Sequence, residues 1–324
     1  VEESMTSPIR TVSIVTPSYN QGRFLPETIE SVLSQEGDFL LDYLVIDGGS
    51  TDESPEIIRR YDRRLQGDDW TVRCRGIRFR WVSEKDRGQA DAITKGFGMA
   101  EGEILAWLNS DDTYLPGVIS KVVALFNHKP DAEVVYGKTY FTGENGEILG
   151  KYPTEPFDPE RLAMFNFICQ PSTFFRKSAY VDVGGLDTDL RYAMDYDLWI
   201  RMAEKHRFEY LTEFLSTYRL HDLTKTMAVG DSADNQKEAL QTVIKHYGWA
   251  PASRVYGCCH HRLKLIFPPA LARISILLVP LSLLFAMVRY IHLNRGIRVK
   301  DLKTINYRNL RKLFMKQIDI FKEY

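Results

Sequence analysis

Asn109-Ser110-Asp111-Asp112 follows the apolar run Ile104-Leu105-Ala106-Trp107-Leu108 and precedes a helix-like segment opening near Leu115-Pro116. Two adjacent carboxylates at the end of a buried strand are costly unless a cation sits between them and a ligand. A divalent metal carrying a diphosphate is the natural candidate. Mg²⁺ and Mn²⁺ take hard oxygen ligands, commonly one or two carboxylates together with substrate phosphates. The same residues also suit a plainer role, because Asn, Ser and Asp are preferred helix caps and Pro116 fits a first helical turn. Residue types alone leave both readings open.

A metal site of this kind needs a sheet edge to carry it. From Val12 to Asp112 short apolar runs alternate with helical periodicity, which argues for βα units and a mainly parallel sheet. Residues 12–16, 43–46 and 77–82 read as strands. Residues 25–35, 54–65 and 88–101 read as helices, the first with Leu25, Ile29, Val32 and Leu33 at helical spacing. In open α/β sheets ligands gather beyond the carboxyl ends of the strands. The segments found there are Pro17-Ser18-Tyr19-Asn20, Asp47-Gly48-Gly49-Ser50, residues 83–88 and Ser110-Asp111-Asp112. Each has a local explanation: residues 50–53 spell a capping box, and Asp47-Gly48 is turn chemistry. Four in succession at one edge point to a nucleotide site.

Beyond the acidic pair the pattern changes. Residues 133–136 and 138–142 read as strands, with Glu144-Asn145-Gly146 as a hairpin turn before an extended segment at 148–152. Residues 170–175 and 208–211 are also extended. Between them Asp195-Tyr196-Asp197-Leu198-Trp199 opens an amphipathic helix.

The 324 residues carry a net charge of -1, which hides an asymmetry. Residues 254–324 hold 14 Lys/Arg against 3 Asp/Glu, leaving 28 against 40 in residues 1–253. Within the basic part, the uncharged stretch between Arg273 and Arg289 is 15 residues, short of the roughly 20 that span a bilayer core. It fits a helix lying in the interface, with Arg295, Arg298, Lys300 and Lys303 meeting anionic headgroups; a buried or dimer-forming helix is the competing reading. The division expected is a catalytic domain over 1–230 and a helical, membrane-associating region over 231–324. Residues 1–10 lack a basic segment followed by an apolar one, and Cys74, Cys169, Cys258 and Cys259 show no disulfide or metal spacing. Action on the cytoplasmic side of a membrane, peripheral or monotopic, is the expectation, with no nucleic-acid partner.

The chain resembles the inverting family 2 glycosyltransferases, which have the GT-A nucleotide-sugar fold: a Rossmann-like, mainly parallel α/β sheet with helices on both faces. The resemblance rests on residues 12–20, 45–52, 83–96 and 106–112 and on Ala193-Met194-Asp195-Tyr196-Asp197-Leu198-Trp199, in that order, and spans roughly residues 11–222. It implies that Thr16, Pro17 and Tyr19 line the base and ribose pocket, that Asp47 accepts a hydrogen bond from the base, and that Asp86 sits beside the nucleotide. Asp111 would face the ribose and Asp112 the metal, with His221 as a further metal or phosphate ligand. Asp195 would be the base that takes the proton of the attacking acceptor hydroxyl. Met194 stands where an acidic residue often precedes that base, which leaves Asp197 as an alternative. The Gln-x-x-Arg-Trp motif of processive synthases is missing, since Arg80-Trp81 has Ile77 at the relevant place.

The resulting expectation is metal-dependent (Mn²⁺ or Mg²⁺) transfer of one sugar from a nucleotide-diphospho-sugar, a UDP-sugar foremost, to a saccharide acceptor, expected to be lipid-linked. Two rival readings are a non-catalytic nucleotide-sugar binding module and a nucleotidyltransferase. Against the latter stands the lack of a Gly-rich phosphate loop with a nearby Lys or Arg after the first strand.

Overall fold

The computed structural model describes residues 9–67, 69–222, 224, 229–268 and 275–302. Strand β1 (Thr11–Ser18) lies between β2 (Gly37–Asp47) and β4 (Ile104–Trp107), and β3 (Cys74–Ser83) flanks β2, all in parallel. Helices α1 (Leu25–Leu33), α2 (Ser54–Gln66) and α3 (Gln89–Met99) make the crossovers. The chain continues through β5 (Thr113–Tyr114), α4 (Val118–His128), β6 (Val134–Thr142), β7 (Ile148–Lys151), α5 (Pro159–Met164), a 3-10 turn at Gln170–Ser172 and β8 (Thr173–Arg176). Then come α6 (Lys177–Asp182), α7 (Met194–Ala203) and β9 (Phe208–Arg219). Among the described residues one sheet of nine strands runs β3-β2-β1-β4-β8-β6-β9-β5, with β7 beside β6.

Period-2 alternation feeds two cores on the two faces of the sheet. Val15, Leu44, Ile46, Leu105 and Trp107 face α3, α6 and α7, whereas Ile14, Tyr43, Val45, Ile104 and Ala106 face α1, α2 and α4. Each such fully buried large side chain contributes about 1.5–3 kcal/mol. The parallel half therefore fixes the four strand ends on which the site residues stand.

Several boundaries differ from the sequence reading. The two strands expected at 133–142 are one, β6, whose register against β9 shifts between Tyr136 and Thr139. Gly137 allows this close approach, for a Cβ there would come within 2.5 Å of Leu215 Cδ1. Strand β9 extends far beyond residue 211 because it is paired along β6 and, through Thr217 and Ser216, with β5. That β5 pairing keeps the chain extended past residue 114, so α4 opens at Val118 rather than near Leu115-Pro116. Residues 170–172 turn rather than extend. The capping box at 50–53 is not made: Ser50 Oγ donates back to Asp47 Oδ1, and Asp52 Oδ1 accepts from Ser54 N at 3.0 Å.

After β9, α8 (Val229–Tyr247) packs on α7, and α9 (Ala252–Ile266) packs on α8 and on α10 (Ser275–Asn294), ahead of the short α11 (Val299–Leu302). Leu278, Val279, Ser282, Ala286 and Tyr290 of α10 are buried, whereas Ile276, Leu284, Phe285, Met287, Val288 and Ile291 are exposed. Ile276–Asn294 is 19 residues with mean hydropathy 2.0, the one helix among the described residues long and apolar enough to cross a membrane. Asn294 pins its end to the α8–α9 turn by bonds to Ala250 N at 2.9 Å and Ala250 O at 3.0 Å. Arg273 and Lys303 lie outside the described residues.

Candidate active site

The loops after β1 and β2 are latched to each other. Asn20, at φ 52°, donates its N–H to Ser50 Oγ at 2.7 Å and accepts from Thr51 N at 2.8 Å, while Asp52 Oδ2 accepts from Gly22 N at 2.8 Å. Thr16 and Pro17 are buried, and the Thr16 hydroxyl is hydrogen-bonded to Tyr43 OH at 3.0 Å. Tyr19 is 62% exposed. Of these three residues, Tyr19 alone presents its side chain to solvent.

Asp47 is fully buried at the end of β2. Its carboxylate accepts from Ser50 N at 3.1 Å, Ser50 Oγ at 2.5 Å and Ser83 Oγ at 2.6 Å. Three of its roughly four acceptor positions are thus used inside the protein, and they tie the end of β2 to the end of β3. Asp86 lies over the same turn: a Cβ at Gly48 would come within 2.6 Å of Asp86 Oδ2, so a side chain there would displace the carboxylate. Asp86 Oδ1 accepts from Gly88 N at 2.8 Å. Arg87 and Lys95 are engaged with Asp91 and Glu84 on the surface, at 2.6 and 2.7 Å.

Asp111 and Asp112 follow β4. Asp112 is buried, with Oδ1 accepting from Arg219 N at 3.0 Å and Oδ2 from Asn109 Nδ2 at 3.2 Å. Burial, and then the Asp111 charge beside it, push the Asp112 carboxyl well above the usual carboxylate value. Asp111 Oδ2 lies 3.0 Å from His221 Nε2, and the His221 ring packs on Phe24 at 4.8 Å. Among the described residues no three His, Cys, Asp or Glu side chains close into a metal cage. The donor set nevertheless fits a divalent ion held by carboxylates and substrate phosphates: a buried carboxylate that accepts from one side-chain amide and one backbone N–H gains from such a charge. The Arg219 charge acts in that direction, but burial and Asp111 outweigh it. Arg219 pairs with Glu27, donates to Asp111 O at 2.9 Å and Glu144 O at 2.7 Å, and lies over the Phe24 ring.

Two residues that the motifs do not single out hold Asn109 in place. Gln89 Nε2 donates to Asn109 Oδ1 at 2.6 Å, Asn109 Nδ2 donates to Gln170 Oε1 at 3.1 Å, and Gln170 Nε2 donates to Trp107 O at 2.6 Å. No local sequence signal marks Gln89 or Gln170, since they meet Asn109 across 20 and 61 positions.

Asp195 lies in the first turn of α7, whose N-cap is Ala193, so it is not the cap. Its Oδ1 accepts from Tyr196 N at 2.7 Å. Asp197 is engaged otherwise: it is buried and paired with Arg201 and His246, each at 2.7 Å. Burial alone would raise its pKa, but the His246 hydrogen bond and the Arg201 charge outweigh that and hold it below the usual value. Helix α7 is held to β4 by Trp199 stacked on Trp107 at 5.6 Å, with Phe175 against both. Burial pushes the Cys169 thiol up and, against a Thr139 hydrogen bond, the charges of Asp112 and Asp195 both add to the rise. The two carboxylates thus act on one thiol from β4 and from α7.

Comparison with known proteins bears on this arrangement. A profile described as Glycosyl transferase family 2 matches residues 13–184, more than half of the chain. The chain belongs to glycosyl transferase family 2. This glycosyltransferase is 27% identical over 215 residues to an uncharacterized glycosyltransferase of Methanocaldococcus jannaschii, covering 64% of this chain and 70% of that one. It is 29% identical over 191 residues to a PGL/p-HBAD biosynthesis glycosyltransferase of Mycobacterium bovis, covering 58% and 68%. In fold it is similar to S. aureus TarS 1-349 in complex with UDP-GlcNAc, with a TM-score of 0.58, 15% identity, and 96% and 89% of the chains covered. It is also similar to the mannosyltransferase PcManGT of Pyrobaculum calidifontis in complex with GDP-Man and Mn²⁺, with a TM-score of 0.58, 16% identity, and 98% and 84% covered. The glycosyltransferase has the GT-A fold, as its motifs led us to expect. Structures of that fold bind nucleotide sugars, in the second case with a divalent metal.

Proposed function

We propose that this glycosyltransferase moves one sugar from a nucleotide-diphospho-sugar, a UDP-sugar foremost, to a saccharide hydroxyl on a lipid-linked acceptor, with inversion of configuration. The observation that carries the reading is that β4, which ends in Asp111 and buried Asp112, and α7, whose first turn carries Asp195, are joined by the Trp107–Trp199 stack. Asp112, with His221, would hold Mn²⁺ or Mg²⁺, and Asp111 would face the ribose. When bound, the ion would stabilise the charge that grows on the departing nucleoside diphosphate. Thr16, Pro17, Asp47 and Asp86 shape the floor beside the nucleotide, and exposed Tyr19 offers a ring on which a base can stack. Asp195 takes the proton from the acceptor hydroxyl as it attacks from the side away from the diphosphate. Asp197, closed by Arg201 and His246, is poorly placed for that task.

The acceptor and the location rest on the region after residue 230. The exposed apolar face of α10, beside Arg295 and Arg298, suits a helix lying in an anionic membrane surface on the cytoplasmic side. Truncation at residue 254 would strip Val255, Cys258 and Cys259 from the packing against α8, so point changes test the idea more cleanly. Phe285→Glu with Leu284→Ser should release the protein from anionic vesicles in flotation while leaving nucleotide binding intact; undiminished flotation would contradict membrane docking. For the chemistry, NMR of the product's anomeric carbon should show configuration opposite to that of the donor, and retention would overturn direct displacement.

A further inference from the structure

The stretch Arg191-Tyr192-Ala193, which leads into α7, has no side chain of its own capping the helix. Its backbone donors go instead to a helix distant in sequence. Glu238, on α8, accepts from Tyr192 N at 2.7 Å and Ala193 N at 2.6 Å through Oε1, and from Arg191 N at 3.2 Å through Oε2. Backbone N–H groups at a helix start lack intrahelical partners, and a carboxylate there both satisfies them and complements the helix dipole. Only Met194 stands between the clamped Ala193 and Asp195. At the other end of α8, His246 reaches Asp197 at 2.7 Å. Two points on α8 therefore grip the first turn of α7, while Trp199 fixes the opposite face of α7 to β4.

We propose that Glu238 is a positioning residue for the acceptor base: it holds the start of α7 so that the Asp195 carboxylate stays at a fixed place relative to the Asp111-Asp112 strand end. This rests on the reading of Asp195 as the base. It goes beyond that reading because it gives a role to α8, which, like α7, lies outside the residues 13–184 that the family profile matches. The same α8 packs on α9, and α9 on the apolar α10, so the helix that holds the start of α7 is linked to α10 through α9. A shift of the α7 start by a fraction of an ångström is enough to matter, since catalytic groups tolerate about 0.5 Å of misplacement.

The test uses the full chain with Glu238→Ala, Glu238→Gln and Asp195→Asn. The first readout is amide hydrogen exchange. Exchange at Tyr192 and Ala193 should rise at least about tenfold in Glu238→Ala, and less in Glu238→Gln, which keeps one carbonyl acceptor, with residues 104–112 unchanged. The second is nucleoside diphosphate release from UDP-GlcNAc and GDP-mannose with Mn²⁺. Glu238→Ala should lower kcat about tenfold or more with donor KM within about twofold, because the donor side is built on other strands. Glu238→Gln should fall between. Unchanged exchange at 192–193, or exchange raised throughout the chain, overturns the clamp. Loss of activity in Asp195→Asn with unchanged kcat in Glu238→Ala overturns the positioning role alone, whereas full activity in Asp195→Asn overturns the base assignment and the positioning role with it.

Discussion

The two sides of the site are built differently. On the donor side, β1 to β4 deliver their residues through parallel strand ends, and local partners such as Ser50 for Asp47 and Asn109 for Asp112 are joined by distant ones, Arg219 for Asp112 and His221 for Asp111. On the acceptor side, the helix that carries Asp195 is fixed by Glu238, 45 residues beyond Ala193, and Asp197 by His246, 49 residues away. Repetition of the βα unit sets the strand ends that carry the donor residues, whereas the base stands on a helix placed by hydrogen bonds from α8 and one aromatic stack. The donor side should therefore tolerate changes in the C-terminal helices that disable the acceptor side.

The sharpest test of that division is Asp195→Asn. A positioned general base contributes about 10²–10⁴-fold, so kcat should fall by that factor while nucleotide affinity, measured by titration calorimetry with Mn²⁺, stays the same. Asp197→Asn should leave donor affinity alone as well, and acts on stability instead. Next in size is Trp199→Ala. Deleting a buried indole costs about 3–5 kcal/mol, and here it also frees α7 from β4. We expect a large drop in the unfolding midpoint in urea together with a loss of kcat exceeding the change in donor KM. Equal effects on both would break the proposed independence of the two sides.

Removing Asp197 comes third. Breaking a buried pair from one side costs about 3 kcal/mol or more, so Asp197→Ala should be clearly destabilised at pH 7. The pH dependence has a definite sign. The pKa of Asp197 lies below its ordinary 3.8 in the folded protein, so its contribution is present above that value and is lost as pH falls through the lower folded pKa. Asp197→Asn should accordingly show a flatter stability profile below about pH 4 than the parent chain. The smallest effect is expected at Arg87. Its pair with Asp91 is on the surface, and such pairs contribute little, so Arg87→Ala should leave the melting temperature unchanged. A marked rise in donor KM in that variant would instead reveal contact with the diphosphate.

Much of the donor side could be read from the sequence because each strand is short, apolar and followed at once by its polar residues. The order of β1 to β4, α1 to α3 and the Asp111-Asp112 strand end all follow from periodicity. The length of β9 did not, because Thr212, Glu213, Ser216 and Thr217 break the apolar pattern of a strand held by β6 and β5. Nor did the partners of Arg219, whose acid, Glu27, is 192 positions away. The role of Asp195 as a cap was a fair expectation from residue type, yet the helix begins one residue earlier, at Met194, and it is the backbone ahead of that start that Glu238 holds. Local rules find strand ends and turns; they carry no information on which distant helix completes them.

The central claim is that Asp111 and Asp112 hold a metal and a nucleoside diphosphate at the end of β4. Release of nucleoside diphosphate from a panel of UDP- and GDP-sugars, with Mn²⁺, Mg²⁺ or chelator, in the parent chain and in Asp112→Ala, tests it directly. The account predicts metal-dependent release from one donor class, lost by about 10²–10³-fold in Asp112→Ala. Release that is indifferent to chelator and to Asp112→Ala would contradict it.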